Sequence, residues 1–309
     1  MEKNFSNKEL QAICGNGCYQ EVVEYLSSCV GSESEDLLNE YRRIFEKGEY
    51  FFQPSDQRIV NILMVYEDYL KWALMSETTT ESCKAYIVEC FKEFLPDVVD
   101  YEQFEIAFPA YFEELGYCAQ FGVTIPFPDL YLWQSKTKRE EKVELPEATV
   151  MMNVYEMDGI ITRGWYDYFT FGKTGAGGWV SDDGAYYFKD KYDIDSDEFQ
   201  ISLLKHEGQH FHDLKNNPKM SSGELEYRAK LVELIYYKDE KCLNVFLDRM
   251  SDDPENPHMH ANKRVIKDIS KLLFSEELVL DKERWQAEYG KVAPTALKLL
   301  KEDTLRQDS

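Results

Sequence analysis

Three of the five histidines in this chain lie in one short stretch, "LLKHEGQHFHDLK", at 203–215. His206 and His210 are four positions apart, and Glu207 directly follows the first. On an α-helix, residues four apart share a face, so both imidazoles can reach one tetrahedral zinc ion. Glu207 is rotated about 100° from His206, which places it beside a metal rather than on it. A carboxylate there can take a proton from metal-bound water and pass it to a leaving amine. This is the H-E-x-x-H spacing. His212 points away by roughly 200° and is expected at the surface or in a supporting role.

The motif needs a helix and a third ligand. Asp195 followed by Glu198 reads as a capping box, which starts a helix near Ser196 that runs until Asn216-Asn217-Pro218 stops it. A second helix is expected over 221–239, with Ser221 and Glu224 as its capping box. The short turn between them makes the two helices neighbours. Glu226 lies just over one turn into the second helix, which is the better source of a third ligand; Glu224 and Glu233 on the same helix are also possible ligands. A catalytic zinc takes three protein ligands and leaves one position open.

"HEGQH" followed after fifteen residues by "EYRA" resembles the gluzincin-type zinc metallopeptidases of the zincin superfamily. The resemblance covers about 148–260, roughly a third of the chain. It implies His206, His210 and Glu226 as ligands of Zn²⁺ and Glu207 as general base. Many gluzincins carry an Asp four residues after the ligand Glu, where it supports a zinc-bound His. Here that position is Lys230, so Asp213 or Glu233 is expected to take over. His258 and His260, in "NPHMHANKRV", resemble the place where some gluzincins keep a substrate-contacting His. Both are expected as catalytic donors to the carbonyl oxygen on which charge builds, with Tyr227 and Tyr236 as rivals. The family also holds substrate as an added strand on a sheet edge. Gly177 to Val180 is read either as that edge or as a tight structural turn.

The remaining elements follow from periodicity. Residues 1–135 read as mostly helical, with apolar spacing over 19–30, 34–50, 56–75, 79–95 and 101–117. Asp56 and Thr80 are expected N-caps, Pro96 a stop and Pro109 a kink or break. The Pro-punctuated 121–133 reads as a connection. The charged 134–144 reads as a domain boundary, giving a helical N-terminal domain (1–140) and a zincin-like domain (141–309). A strand at 148–157, a turn at Asp158-Gly159 and a returning strand at 160–171 are expected next. The Gly-rich 172–178 lacks the pattern of a phosphate loop. A second hairpin over 178–188 turns at Asp182-Asp183-Gly184. The expected fold class is α+β: helices first, then a small antiparallel or mixed sheet with active-site helices and a helical C-terminal part.

Composition sets the outer limits. The 309 residues carry a net charge of -23. Such a surface repels phosphate backbones and anionic lipid, so neither nucleic acid nor membrane is an expected partner. It can draw metal cations or basic substrates. No apolar run reaches the length of a membrane span, and the N-terminal segment lacks the apolar core of a signal peptide. Seven cysteines, an odd number, suit a reduced cytoplasmic protein. The expected activity is zinc-dependent hydrolysis of peptide bonds in a peptide or protein substrate; oligomeric state is not legible. The alternatives are an inactive zincin-like protein that binds metal or a partner, and a helical interaction protein whose motif is incidental.

Overall fold

The computed structural model describes residues 3–15, 17–124, 126–181, 183–254 and 256–307. The protein is mixed α+β. Two compact units are present, one of Met1–Thr137 with Met157–Gly177, the other of Lys138–Glu156 with Gly178–Ser309. Each has its own apolar core.

The first unit opens with β1 (Lys3–Asn4), which pairs in parallel with β2 (Cys29–Val30). Around them lie α1 (Asn7–Gly15), α2 (Tyr19–Ser28) and α3 (Ser32–Tyr41), followed by α4 (Gln57–Met75), α5 (Thr80–Cys90) and α6 (Tyr101–Glu114). Asp56 caps α4 by accepting from the Arg58 N–H at 2.9 Å. The cap of α5 is Thr79, one residue before the expected Thr80, in a reciprocal box with Ser82. That helix ends at Cys90, well short of Pro96, because Lys92 and Phe94 already bond to carbonyls three residues back. Pro109 neither stops nor splits α6. Phe104, Phe108 and Phe112 are fully buried at four-residue spacing, and this packing outweighs the one hydrogen bond that proline removes.

Two sequence-based expectations fail in the strands. The stretch read as a connection is a hairpin: β3 (Cys118–Thr124) pairs antiparallel with β4 (Phe127–Glu144), from Thr124↔Phe127 to Cys118↔Trp133. The charged 134–144 is the second half of β4, and Gln134–Lys138 are exposed there. Its charge marks a solvated strand, and the first division between the two units, Thr137 to Lys138, falls within it. Asp158-Gly159 makes no reversal either, since β5 runs unbroken from Thr149 to Arg163. Gly159 takes a left-handed φ of 70° within it. In place of the returning strand there is a short helix, α7 (Trp165–Phe169). Buried Asp129 accepts from its first N–H at 2.9 Å, and Trp165 stacks on Phe127 at 3.6 Å.

In the second unit the hairpin β6 (Gly178–Ser181) and β7 (Gly184–Phe188) forms as expected; Asp182 of its turn lies outside the described residues. The sheet order is β3-β4-β5-β7-β6, so β6 ends it. Helices follow: α8 (His206–Asn216), α9 (Ser222–Tyr236), α10 (Lys241–Asp248), α11 (Pro257–Phe274), α12 (Lys282–Ala287) and α13 (Val292–Gln307). Val150, Met152 and Val154 alternate inward from β5 into a core shared with Leu204 and Leu231. Helix α9 packs on α8, α11 and α13. Buried Arg228 ties three of these helices together, bonding Asp213 at 2.8 Å and Asp303 at 3.0 Å. Among the described residues no helix is long and apolar enough to cross a membrane.

Candidate metal centre

The motif helix enters in an unexpected way. Glu198–Lys205 forms wide π turns, and the His206 N–H reaches back five residues to the Ile201 carbonyl. The Asp195–Glu198 capping box is not formed; Ser196 Oγ accepts from the Phe199 N–H instead, at 3.1 Å. From His206 the helix is α-helical. Its third motif residue, Gly208, sits against β4 and β5. A Cβ there would lie 2.9 Å from Val143 Cγ1 and 3.5 Å from Val150 Cγ2. The glycine lets α8 lie close on the sheet and fixes the depth of its two histidines.

The next helix starts where the sequence places it, with the Ser221–Glu224 box formed in both directions. Glu224 is therefore committed to the cap. Glu226 turns inward and is buried with His206. Its Oε2 lies 3.4 Å from His206 Nε2, and its Oε1 lies 3.7 Å from His210 Nε2. His258, in the first turn of α11, adds Nδ1 at 2.7 Å from Glu226 Oε2. The donor atoms of His206, Glu226 and His258 lie within 4.8 Å of one another, as do those of His206, Glu207 and His210. Yet His210 Nε2 is buried with no hydrogen-bond partner among the described residues. Buried polar atoms are rarely left so. Imidazoles and a carboxylate that converge in this way could hold a metal ion.

The far side of His206 is held firmly. Its Nδ1 lies 2.6 Å from Glu233 Oε1, which also receives the Lys230 ammonium at 2.6 Å. Ser202 Oγ and Cys242 Sγ approach the other Glu233 oxygen. Glu233 thus orients His206, and Lys230 holds Glu233. Asp213, the other expected support, is occupied by Gln209 and Arg228.

Electrostatics agree with this geometry. Burial would lower the His206 imidazole, but the Glu226 and Glu233 carboxylates outweigh it and push its pKa up to about 9. Burial would raise Glu226, yet His206 and His258 hold it far below the usual carboxylate range. The spot favours positive charge, and a metal ion displaces the proton when it supplies that charge instead. Glu207 lies beside this group, Oε2 at 3.3 Å from His210 Nδ1. Burial would raise its carboxyl, but the two motif histidines keep it lowered and ionised.

Glu207, His210, Glu226 and His258 line one cavity of about 680 Å³ together with β6 and one face of α8. His260 does not line it. It faces a separate cleft with Asp252, Lys263 and Lys267, as its two-residue offset on a helix dictates. Tyr227 donates to Asp268 at 3.0 Å, and Tyr236 lies under Lys205; neither lines the cavity. His212 is beside Asn216 on the outer face. Gly178 is needed by the hairpin itself, since a Cβ there would lie 2.2 Å from the Tyr186 carbonyl oxygen. Sequence reasoning passed over Phe211, Leu214 and Lys215, which line the cavity; only their i, i+3/i+4 relation to Glu207 would have marked them.

Comparison with family models, with curated proteins and with solved structures finds no match to this chain.

Proposed function

We propose that this chain is a zinc-dependent peptide hydrolase with a zincin-like second unit. The observation that carries the reading is the approach of the Glu226 carboxylate to both motif imidazoles, 3.4 Å from His206 Nε2 and 3.7 Å from His210 Nε2, with the latter nitrogen buried and unpaired among the described residues. His206, His210 and Glu226 would hold the zinc, and Glu233 would keep the His206 ring in place. Zinc bound there would supply Lewis acidity toward a peptide carbonyl and make water acidic near neutral pH.

The chain's own residues do the rest. Glu207 takes the proton of the water that attacks the carbonyl carbon. It then delivers that proton to the amine nitrogen as the C–N bond breaks. His258, more than half exposed at the cavity rim, is placed to donate to the carbonyl oxygen as negative charge builds. The outer edge of β6 lines the same cavity and offers backbone groups to an extended peptide.

His258 supports a second reading. Its 2.7 Å approach to Glu226 would let it complete a closed set of ligands, as in structural sites. Two variants separate the readings. Under the first, Glu207→Gln keeps zinc and loses hydrolysis by about 10²-fold or more, while His258→Ala keeps zinc and slows cleavage. Loss of zinc from His258→Ala, with no hydrolysis by the unmutated chain, would establish the closed site instead.

A further inference from the structure

The face of α8 that carries Glu207 does not end at the motif. Glu207, Phe211, Leu214 and Lys215 follow one another at helical spacing and line one cavity with Val180. Leu214 is 41% exposed, a large apolar side chain turned to water on the wall of a cavity. Lys215 is the lone lysine or arginine among the lining residues. No carboxylate pairs with it among the described residues, although the chain holds 58 acidic residues against 35 Lys and Arg. An unpaired ammonium beside an apolar wall complements a ligand that is apolar at one point and anionic at the next.

We infer that the site selects peptides in which a bulky apolar side chain is followed, a short way along, by a carboxylate. This inference rests on the proposed hydrolase reading. Val180, Phe211 and Leu214 receive the apolar side chain, and Lys215 receives the carboxylate. Lys215 lies eight residues from Glu207, about 12 Å along the helix axis, and its side chain leans back toward the helix start. An extended peptide rises about 3.3 Å per residue, so the carboxylate falls two to three residues from the bond beside Glu207. A chain terminus and an Asp or Glu side chain offer the same chemistry. The preference runs against the net charge of -23, which taken alone favours basic peptides. What matters is the charge that lines the cavity.

Binding tests this without requiring turnover. Three leucine-containing peptides of equal length are titrated by calorimetry into zinc-loaded Glu207→Gln protein. One is neutral and amidated, one has a free terminal carboxylate, and one is amidated with Glu at the matching distance. At least one carboxylate peptide should bind about tenfold more tightly than the neutral one. Lys215→Glu in the same background should erase that ratio, and Lys215→Arg should keep it. Equal binding of all three peptides, or a ratio that survives Lys215→Glu, would overturn the inference. If the ratio behaves as expected but the unmutated chain cleaves none of them, the hydrolase reading fails and the peptide preference stands.

Discussion

At the scale of single residues, the proposed centre would divide into groups that meet the cation, one that serves the water and one that holds a ring still. Glu233 is the least obvious of these, because Lys230 stands where a supporting carboxylate was expected and recruits Glu233 one turn later. Glu233→Gln keeps the shape but loses the charge facing His206. It should weaken zinc binding by about 10- to 100-fold, read by competition with a chromophoric chelator, with Glu233→Asp recovering part of the loss. Unchanged zinc affinity would show that His206 needs no such support. His206, Glu207 and His210 were legible from spacing alone, since four residues on a helix fix a shared face. Glu226 was legible from its cap and the short turn. His258 could be suspected but not placed, because its approach to Glu226 depends on how α11 returns to α9, which no local pattern encodes.

At the scale of elements, α8 is held by the sheet beneath it and by α9 beside it. Gly208 is the contact that sets its height. Gly208→Ala should cost about 1–3 kcal/mol of stability through overpacking against Val143, measured by denaturant unfolding. Tolerance of alanine with no loss would mean α8 is free to ride higher. The helices of both units were legible because their apolar faces repeat at helical spacing, and α6 shows that strong packing of Phe104, Phe108 and Phe112 carries a helix through Pro109. The strands were harder. A dense charge run reads as a domain boundary, and the units do part within it, yet it is also one solvated stretch of the long strand β4. Asp158-Gly159 has turn chemistry, and Gly159 takes a left-handed φ of 70°, yet β5 continues through it without reversing. Turn propensity is a local preference, and sheet pairing is a longer-range one that overrode it.

At the scale of the whole molecule, two units with separate cores carry different polar anchors. In the first, buried Glu67 accepts from the Phe51 and Phe52 N–H groups and the Tyr168 hydroxyl. Glu67→Gln turns one acceptor into a donor that faces an N–H, and should cost about 1–3 kcal/mol. Its effect belongs to the first unit, so zinc affinity should not change; a fall in zinc affinity would contradict that separation. In the second unit, the proposed zinc site would link metal binding to folding. Zinc at about a hundred times its dissociation constant should add about 2.7 kcal/mol to stability, seen as a raised thermal midpoint that a chelator reverses and that Glu226→Ala lacks.

Whether His206, His210 and Glu226 hold a zinc ion is decided by zinc stoichiometry from equilibrium dialysis, for the unmutated chain beside His210→Ala, Glu226→Ala and His258→Ala. About one tightly held zinc is expected in the unmutated chain and in His258→Ala, and its loss from both other variants. No zinc in the unmutated chain, or zinc held as tightly by Glu226→Ala, would contradict it.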